Sequence, residues 1–197
     1  MQIYKKIFNC RVCDSKSLQE IFRIEEQYLS PTFVKENKGE LSQIKIPHTL
    51  ILCEKCNLLQ LRETVNPDLL YKNYFYRSAV SDTMKKDLKA VVEDIEKQVI
   101  FNNEDSVIDI GANDCTMISY YPNNLKRFAI EPAENIIWDH VDPSIKIIND
   151  YFNQKSIDKC NLAGKVKVFS SCAMFYDLEE PNIFLKIIKN NLHEEGI

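Results

Sequence analysis

The octapeptide Val107-Ile-Asp-Ile-Gly-Ala-Asn-Asp114 constrains this chain more than any other stretch. Val107 to Ile110 is apolar except for Asp109, the pattern of a parallel strand buried on both faces. Gly111 follows where the strand turns into a loop, and a residue without Cβ there lets a ligand reach the backbone. A second apolar run, Arg127-Phe-Ala-Ile130, closes on Glu131, 22 positions beyond Asp109. A strand, a glycine turn, a helical segment and a strand tipped by an acid make the nucleoside-binding half of a doubly wound sheet. In that arrangement Glu131 accepts both ribose hydroxyls. The expected fold class is α/β and Rossmann-like.

The loop letters then bear on the ligand. A dinucleotide fold uses G-x-G-x-x-G because its pyrophosphate rests on backbone and helix N-terminus. Here the string is Gly111-Ala-Asn-Asp-Cys-Thr116, with only the first glycine. S-adenosylmethionine has no phosphate, needs one close backbone approach, and carries an ammonium group that suits acidic neighbours. At these residues the chain resembles class I S-adenosylmethionine-dependent methyltransferases, in the branch whose first motif reads D-I-G-x-N-D-G, with Cys115 in place of the last glycine. The resemblance implies that Asp109, Gly111, Asn113, Asp114 and Glu131 line the cofactor pocket. A nicotinamide-binding Rossmann domain is the rival reading.

Two C-x-x-C pairs, Cys10/Cys13 and Cys53/Cys56, stand near the N-terminus. Paired knuckles of this spacing predict a four-cysteine tetrahedral zinc site. The residue after each pair favours positive φ, and Asp14 and Asn57 tolerate that conformation. With four cysteines no coordination position stays open, so the zinc is expected to be structural. Redox chemistry needs one such pair beside a βαβ unit, not two matched pairs. Glu54-Lys55 predicts an exposed second knuckle. The roughly forty-residue segment between the pairs carries two strand-like runs, Leu18 to Ile24 and Lys45 to Leu52.

Asn66-Pro-Asp68 breaks the strand pattern, a short helical stretch begins at Leu69, and three tyrosines and a phenylalanine follow between Tyr71 and Tyr76. The order of zinc knuckles, Cys56-Asn-Leu-Leu-Gln-Leu61, Tyr74-Phe-Tyr-Arg-Ser78 and the D-I-G-x-N-D motif is similar to that of sugar C-methyltransferases with an N-terminal zinc-binding lobe. Those enzymes methylate carbon in nucleotide-linked keto-deoxysugars. The resemblance implies that the tyrosine segment closes over the cofactor, with Tyr76 catalytic and Ser78 cofactor-binding. Ser81 is expected to cap a helix whose apolar face is Met84, Leu88, Val91, Val92, Ile95 and Val99.

Beyond Glu131, Pro132 at a first-turn position predicts another helix, with Ile136, Ile137 and Trp138 in the core. Ser144 to Ile148 reads as a third strand, and the methyltransferase resemblance implies that Asp150 at its tip bonds the adenine amino group. Lys165 to Met174 reads as a fourth strand, followed by Ala173-Met-Phe-Tyr-Asp-Leu-Glu-Glu-Pro181. This string is also similar to the sugar C-methyltransferases, and Tyr176 occupies about the place of their acid/base histidine, which makes it the second catalytic candidate. His48, His140 and His193 stand in no motif. Only four strands of the seven-stranded order 3-2-1-4-5-7-6 are found, so a C-terminally truncated methyltransferase is expected. Such a chain would hold its cofactor without turning over, and its fourth strand would form an exposed sheet edge.

The expected domains are 1–65, a zinc-binding lobe; 66–103, the tyrosine segment and bridging helix; and 104–197, the S-adenosylmethionine-binding part. The net charge of −4 without a basic stripe argues against nucleic acid. No apolar run has membrane length and no signal-peptide pattern opens the chain. Seven cysteines suggest reduced thiols or metal, which makes the cytoplasm the expected compartment. The partner is expected to be a small-molecule acceptor, a nucleotide sugar by resemblance. A non-catalytic zinc-lobed scaffold and an O-methyltransferase remain as alternatives.

Overall fold

The computed structural model describes residues 2–29 and 44–197. The middle of the segment joining the two cysteine pairs therefore lies outside the described residues. The chain divides into two compact units: Met1–Phe75 with Glu179–Asn182, and Tyr76–Leu178 with Ile183–Ile197.

In the first unit, β1 (Tyr4–Lys6) pairs antiparallel with β5 (Glu63–Val65). A second antiparallel sheet runs β2 (Leu18–Tyr28), β3 (Lys45–Cys53) and β4 (Leu59–Leu61) in that order. β3 alternates along its second half, burying Thr49, Ile51 and Cys53 while Leu50 and Leu52 are half-buried, as a one-sided sheet requires. β2 is exposed along nearly its whole length. Among the described residues the buried apolar set of this unit is Cys10, Leu29, Ile46, Pro47, Ile51 and Cys53. Two of these six are knuckle cysteines, so the described core is continuous with the cysteine cluster. A one-and-a-half-turn helix, α1 (Pro67–Tyr71), follows, with Asn66 accepting from the Asp68 amide at 3.0 Å.

The second unit is built on four parallel strands, β6 (Ser106–Ile110), β7 (Lys126–Ile130), β8 (Lys146–Ile148) and β9 (Val166–Ser170). Their order in the sheet is β8-β7-β6-β9, which is 3-2-1-4 in chain order. Both faces are covered, and the strands alternate between two cores. Val107, Ala129 and Val168 join Leu88 and Val92 of α2 (Asp82–Gln98) and its C-cap, Val99. Ile108, Ile110, Phe128, Ile130 and Val166 join Ile157 and Cys160 of α3 (Gln154–Cys160) and Phe184 of α4 (Pro181–Asn191). A strand that must serve two cores has no polar face to spare, hence the near-continuous apolar runs. Ser81 caps α2, its hydroxyl accepting from the Met84 amide at 3.3 Å. Val91, expected on the apolar face, is 40% exposed instead.

Several expectations need correction. No α-helix joins β6 to β7; the connection is a loop with a single 3-10 turn, Ile118–Tyr120. The Asp114 carboxylate takes the amide and hydroxyl of Thr116, and the Ser119 hydroxyl bonds the Thr116 carbonyl, so side chains compete with the helical ladder. No helix starts at Glu131 either. Residues 131–145 are irregular, because the Glu131 side chain takes the Ala133 amide and Asn149 takes the Ala133 carbonyl. Ile136 is buried and Trp138 packs on the α2-side core, but Ile137 is 72% exposed.

The third and fourth strands are shorter than expected, starting at Lys146 and ending at Ser170 respectively. Ala173 adopts φ 55° in the loop that leaves β9. Nor is the edge of β9 bare. After α4 the chain returns along it: His193 N donates to Val166 O, Ile197 N to Lys167 O and Phe169 N to Ile197 O, at 2.8 to 3.0 Å. Val166 and Val168 are fully buried. Gly196 makes this return possible, since a Cβ there would lie 2.7 Å from the Lys167 carbonyl oxygen.

Candidate functional site

Each cysteine pair forms the same tight turn. The Asp14 amide donates to Cys10 O at 3.0 Å and the Asn57 amide to Cys53 O at 2.8 Å. Asp14 and Asn57 adopt φ 56° and 61°, the left-handed values expected after a knuckle. Glu54, Lys55 and Cys56 are exposed while Cys10 and Cys53 are buried. The four sulfurs lie within 4.8 Å of one another, with Cys10 to Cys56 at 3.6 Å and Cys13 to Cys53 at 3.5 Å. Zinc bound tetrahedrally at ~2.3 Å sets its sulfurs ~3.8 Å apart, so the cluster fits that ion. Burial acts to raise the Cys10 thiol pKa, but the amides of Cys13 and Val12 and the Gln60 side chain outweigh it and bring it down to about 6. A thiol so placed is ready to bind metal as thiolate.

In the second unit, the carboxyl ends of the parallel strands collect the acids. Asp109 on β6 is buried and accepts from the Ser170 hydroxyl of β9 at 2.7 Å. Burial drives its pKa up to about 7; the Ser170 bond opposes the rise and nearby Glu131 adds to it. Glu131, at the tip of β7, is also buried. One of its oxygens accepts from the Asn113 amide at 2.8 Å and the other from the Ala133 amide at 2.9 Å. Burial still holds its pKa above the ordinary range, those two bonds working against it.

Gly111 adopts φ 70° and Asn113 φ 51°. A Cβ at Gly111 would meet the Met174 side chain at 3.3 Å, so the bare backbone there faces a methionine. Cys115 also has positive φ, 65°, the conformation for which glycine is the low-cost residue. Its thiol is pushed up to about 12, by burial first and then by Asp109, which makes it an inert packing group.

Asn113 and Asp114 hold the tyrosine segment. The Asn113 side chain accepts from the Ser78 amide at 3.1 Å and donates to the Tyr76 carbonyl at 3.0 Å. The Asp114 carboxylate accepts from the Ala79 amide at 2.8 Å. Tyr76 and Ser78 are thereby fixed beside the loop that follows β6. Asp150, just past the end of β8, makes its own bonds: it accepts from Lys159 at 2.5 Å and from the Tyr151 amide at 2.8 Å, and the Lys159 bond first of all lowers its pKa. Tyr176 stands 76% exposed on a 3-10 turn, Phe175–Asp177.

Three supporting residues were not among the site candidates read from the sequence. Asn149 bonds the Glu131 and Ala133 carbonyls at 2.8 and 2.9 Å, the Trp138 indole donates to Asn113 O at 3.2 Å, and Ser170 orients Asp109. Only Ser170, a polar residue ending an apolar strand, left a sequence signal. A concavity of about 430 Å³ lined by Ile157, Asp158, Leu162 and Lys165 opens at the opposite end of the sheet, where β9 begins, and has no part in this arrangement.

Residues 10–71 match the Methyltransf_13 family, a zinc binding domain. Over 135 residues, 68% of this chain, the sequence is 20% identical to the C-methyltransferase NovU of Streptomyces niveus. That stretch covers 32% of the relative, so the chain spans about a third of its length. Among solved structures, precorrin 8W decarboxylase from Methanobacterium thermoautotrophicum is similar with a TM-score of 0.42 and 13% identity, covering 56% of this chain and 59% of that one. No described helix is long and apolar enough to cross a membrane. The chain thus joins a methyltransferase-associated zinc binding domain to an α/β unit with a parallel sheet, and its sequence is distantly related to a C-methyltransferase.

Proposed function

We propose that this chain binds S-adenosylmethionine at the carboxyl ends of β6, β7 and β8 and belongs to an enzyme that methylates carbon in a nucleotide-linked keto-deoxysugar, with a structural zinc on Cys10, Cys13, Cys53 and Cys56. One observation carries the reading: three carboxylates, Asp109, Asp114 and Glu131, are each buried at one end of the sheet beside a loop whose single glycine offers no phosphate cradle. Buried acids disfavour a pyrophosphate and favour a cation. S-adenosylmethionine is a nucleoside that carries both an ammonium and a sulfonium, and when bound it supplies an electrophilic methyl group.

Each Glu131 oxygen spends one lone pair on an amide and keeps another, so the carboxylate can still accept two ribose hydroxyls. Asp109 and Asp114 supply the negative potential for the ammonium. Asp150 is the candidate acceptor for the adenine amino group, in exchange with Lys159. Carbon methylation beside a ketone requires a base to take the α-proton; the resulting enolate carbon would then bond the methyl group as the S–CH3 bond breaks and the sulfonium leaves as a neutral thioether. Tyr76 and Tyr176 are the candidates to donate a hydrogen bond to the keto oxygen, a role that suits a phenolic hydroxyl better than that of base.

Calorimetric titration with S-adenosylmethionine and with NAD separates this reading from a nicotinamide domain and from a scaffold. Binding of the first alone supports it; binding of neither sinks it. Transfer of labelled methyl to a nucleotide-linked keto-deoxysugar, with product analysis for C–C against O–C bonds, then tests the acceptor and excludes or establishes O-methylation.

A further inference from the structure

We infer that Gln60, oriented by Arg11, is a positioning residue for the metal: its carboxamide N–H donates to the Cys10 sulfur and holds that thiolate on zinc. The inference rests on the zinc reading above and adds a residue outside the four ligands. Gln60 is 8% exposed, an uncharged polar side chain buried in a small lobe, and such a group stays inside only when its bonds are made. Its Nε2 lies 3.3 Å from Cys10 Sγ. Its Oε1 accepts both the Arg11 amide and the Arg11 guanidinium, each at 3.2 Å. Two donors converging on one end of the carboxamide fix which end is oxygen, and therefore turn the nitrogen toward the sulfur.

The guanidinium is itself tied down. Arg11 Nη1 donates to Leu61 O at 2.6 Å and Nη2 to Thr64 Oγ1 at 2.7 Å. Arg11 sits inside the first knuckle, whereas Gln60 and Thr64 lie on β4 and β5. The chain of bonds from Thr64 through Arg11 and Gln60 to Cys10 thus locks the knuckle to β4 and β5, one strand of each sheet of the lobe, and points one N–H at a thiolate. Four thiolates around Zn²⁺ leave two negative charges on the cluster. A donor to sulfur spreads that charge, and the adjacent guanidinium offsets it. Both effects lower the reactivity of the Cys10 sulfur toward an electrophile, the property that the order of alkylation reads.

Gln60→Glu discriminates between holding and packing. The carboxylate keeps the shape and strengthens the contact with Arg11, yet it cannot donate to sulfur and adds a charge beside the cluster. The zinc-loaded full chain, wild type and variant, is to be compared in three measurements: zinc affinity by chelator competition, thermal unfolding, and the order in which N-ethylmaleimide labels the four cysteines by peptide mapping. The expected result is a retained fold, zinc affinity lowered about 10- to 100-fold, a melting temperature lowered by no more than that loss of affinity accounts for, and Cys10 labelled earliest. Should Gln60→Glu fail to fold, Gln60→Met, which removes the donor without adding charge, is held to the same expectation. A folded variant with wild-type zinc affinity and unchanged labelling order overturns the inference while the zinc site stands. Wild-type protein that binds no zinc overturns both.

Discussion

The backbone amide of Asn113 donates to the Glu131 carboxylate at 2.8 Å, which ties the loop after β6 to the tip of β7. The acid best placed to read a ribose is therefore also the acceptor that shapes the loop beside it. The other carboxylate oxygen closes a turn on Ala133, and the Asn113 side chain passes the constraint on to Tyr76 and Ser78. Ligand recognition and loop geometry share one side chain.

Glu131→Ala consequently has two effects. Two bonds from amides to a charged acceptor are lost, partly offset by no longer burying a carboxylate, for a net destabilisation of about 2 to 4 kcal/mol without any ligand. Denaturant unfolding of the ligand-free protein reads this directly. Loss of S-adenosylmethionine affinity beyond what the stability change explains, measured on the folded fraction, assigns the ribose contact; unchanged affinity rejects it.

Asp109 makes stability depend on pH in a defined direction. Its folded pKa, about 7, lies above the ordinary 3.8, so the folded state binds the proton more tightly than the unfolded chain. Its contribution is intact below about pH 4 and is lost as pH rises toward about 7, on the order of 4 kcal/mol in total. Glu131, also raised, acts in the same sense. Asp109→Asn removes the larger slope while its amide oxygen can still accept from Ser170. The variant should gain on wild type as pH rises from about 4 to about 8. Parallel unfolding curves for the two proteins across that range contradict the prediction.

Zinc removal should collapse the first unit. Two of the six buried apolar residues described in that unit are zinc ligands, and the metal's contribution is on the order of 10 kcal/mol. Protein purified without chelator should carry one equivalent of zinc by elemental analysis, and Cys53→Ser/Cys56→Ser should lose both the metal and the β-sheet signal of the lobe. Less than half an equivalent, or an unchanged fold in the double variant, speaks against the site.

What the sequence made legible follows from how local the determinants are. β6 and β7 could be read because Val107, Ile108, Phe128 and Ile130 serve two cores and leave no room for polar residues. The knuckles could be read because spacing and the left-handed positions of Asp14 and Asn57 are properties of a few adjacent residues. The irregular segment 131–145 could not. Its conformation depends on bonds from Glu131, Asn149 and Trp138 to distant backbone atoms, and Pro132 alone looks like a helix start. The β9 edge was misjudged for a similar reason: its cover comes from His193 to Ile197, whose pairing with Val166 to Phe169 requires the close approach at Gly196.

The tyrosine segment offers the most direct test of how the site is assembled. Three bonds fasten residues 76–79 to the β6 loop: Ser78 N to Asn113 Oδ1, Asn113 Nδ2 to Tyr76 O, and Ala79 N to Asp114 Oδ2. Both anchoring side chains are buried, while Ala79 and Val80 are exposed, so little apolar packing at those two residues replaces the bonds once they are cut. Asn113→Ala deletes two of the three, and its smaller side chain also has a harder time keeping φ 51°, adding about 1 kcal/mol of strain. Asn113→Gly deletes the same two bonds without that strain. Both variants should therefore raise amide hydrogen exchange at Ser78 and Ala79 by tenfold or more, each tenfold corresponding to about 1.4 kcal/mol of opening free energy. Exchange at Ile108 and Ile110, inside β6, should stay within the wild-type range. The glycine variant isolates the Asn113 bonds: if its exchange at Ser78 matches wild type, the segment is held by its other contacts, the Ala79–Asp114 and Arg77–Asn135 bonds included, and not by Asn113. If both variants loosen the segment and weaken S-adenosylmethionine binding in proportion, Tyr76 and Ser78 act at the site only when Asn113 presents them.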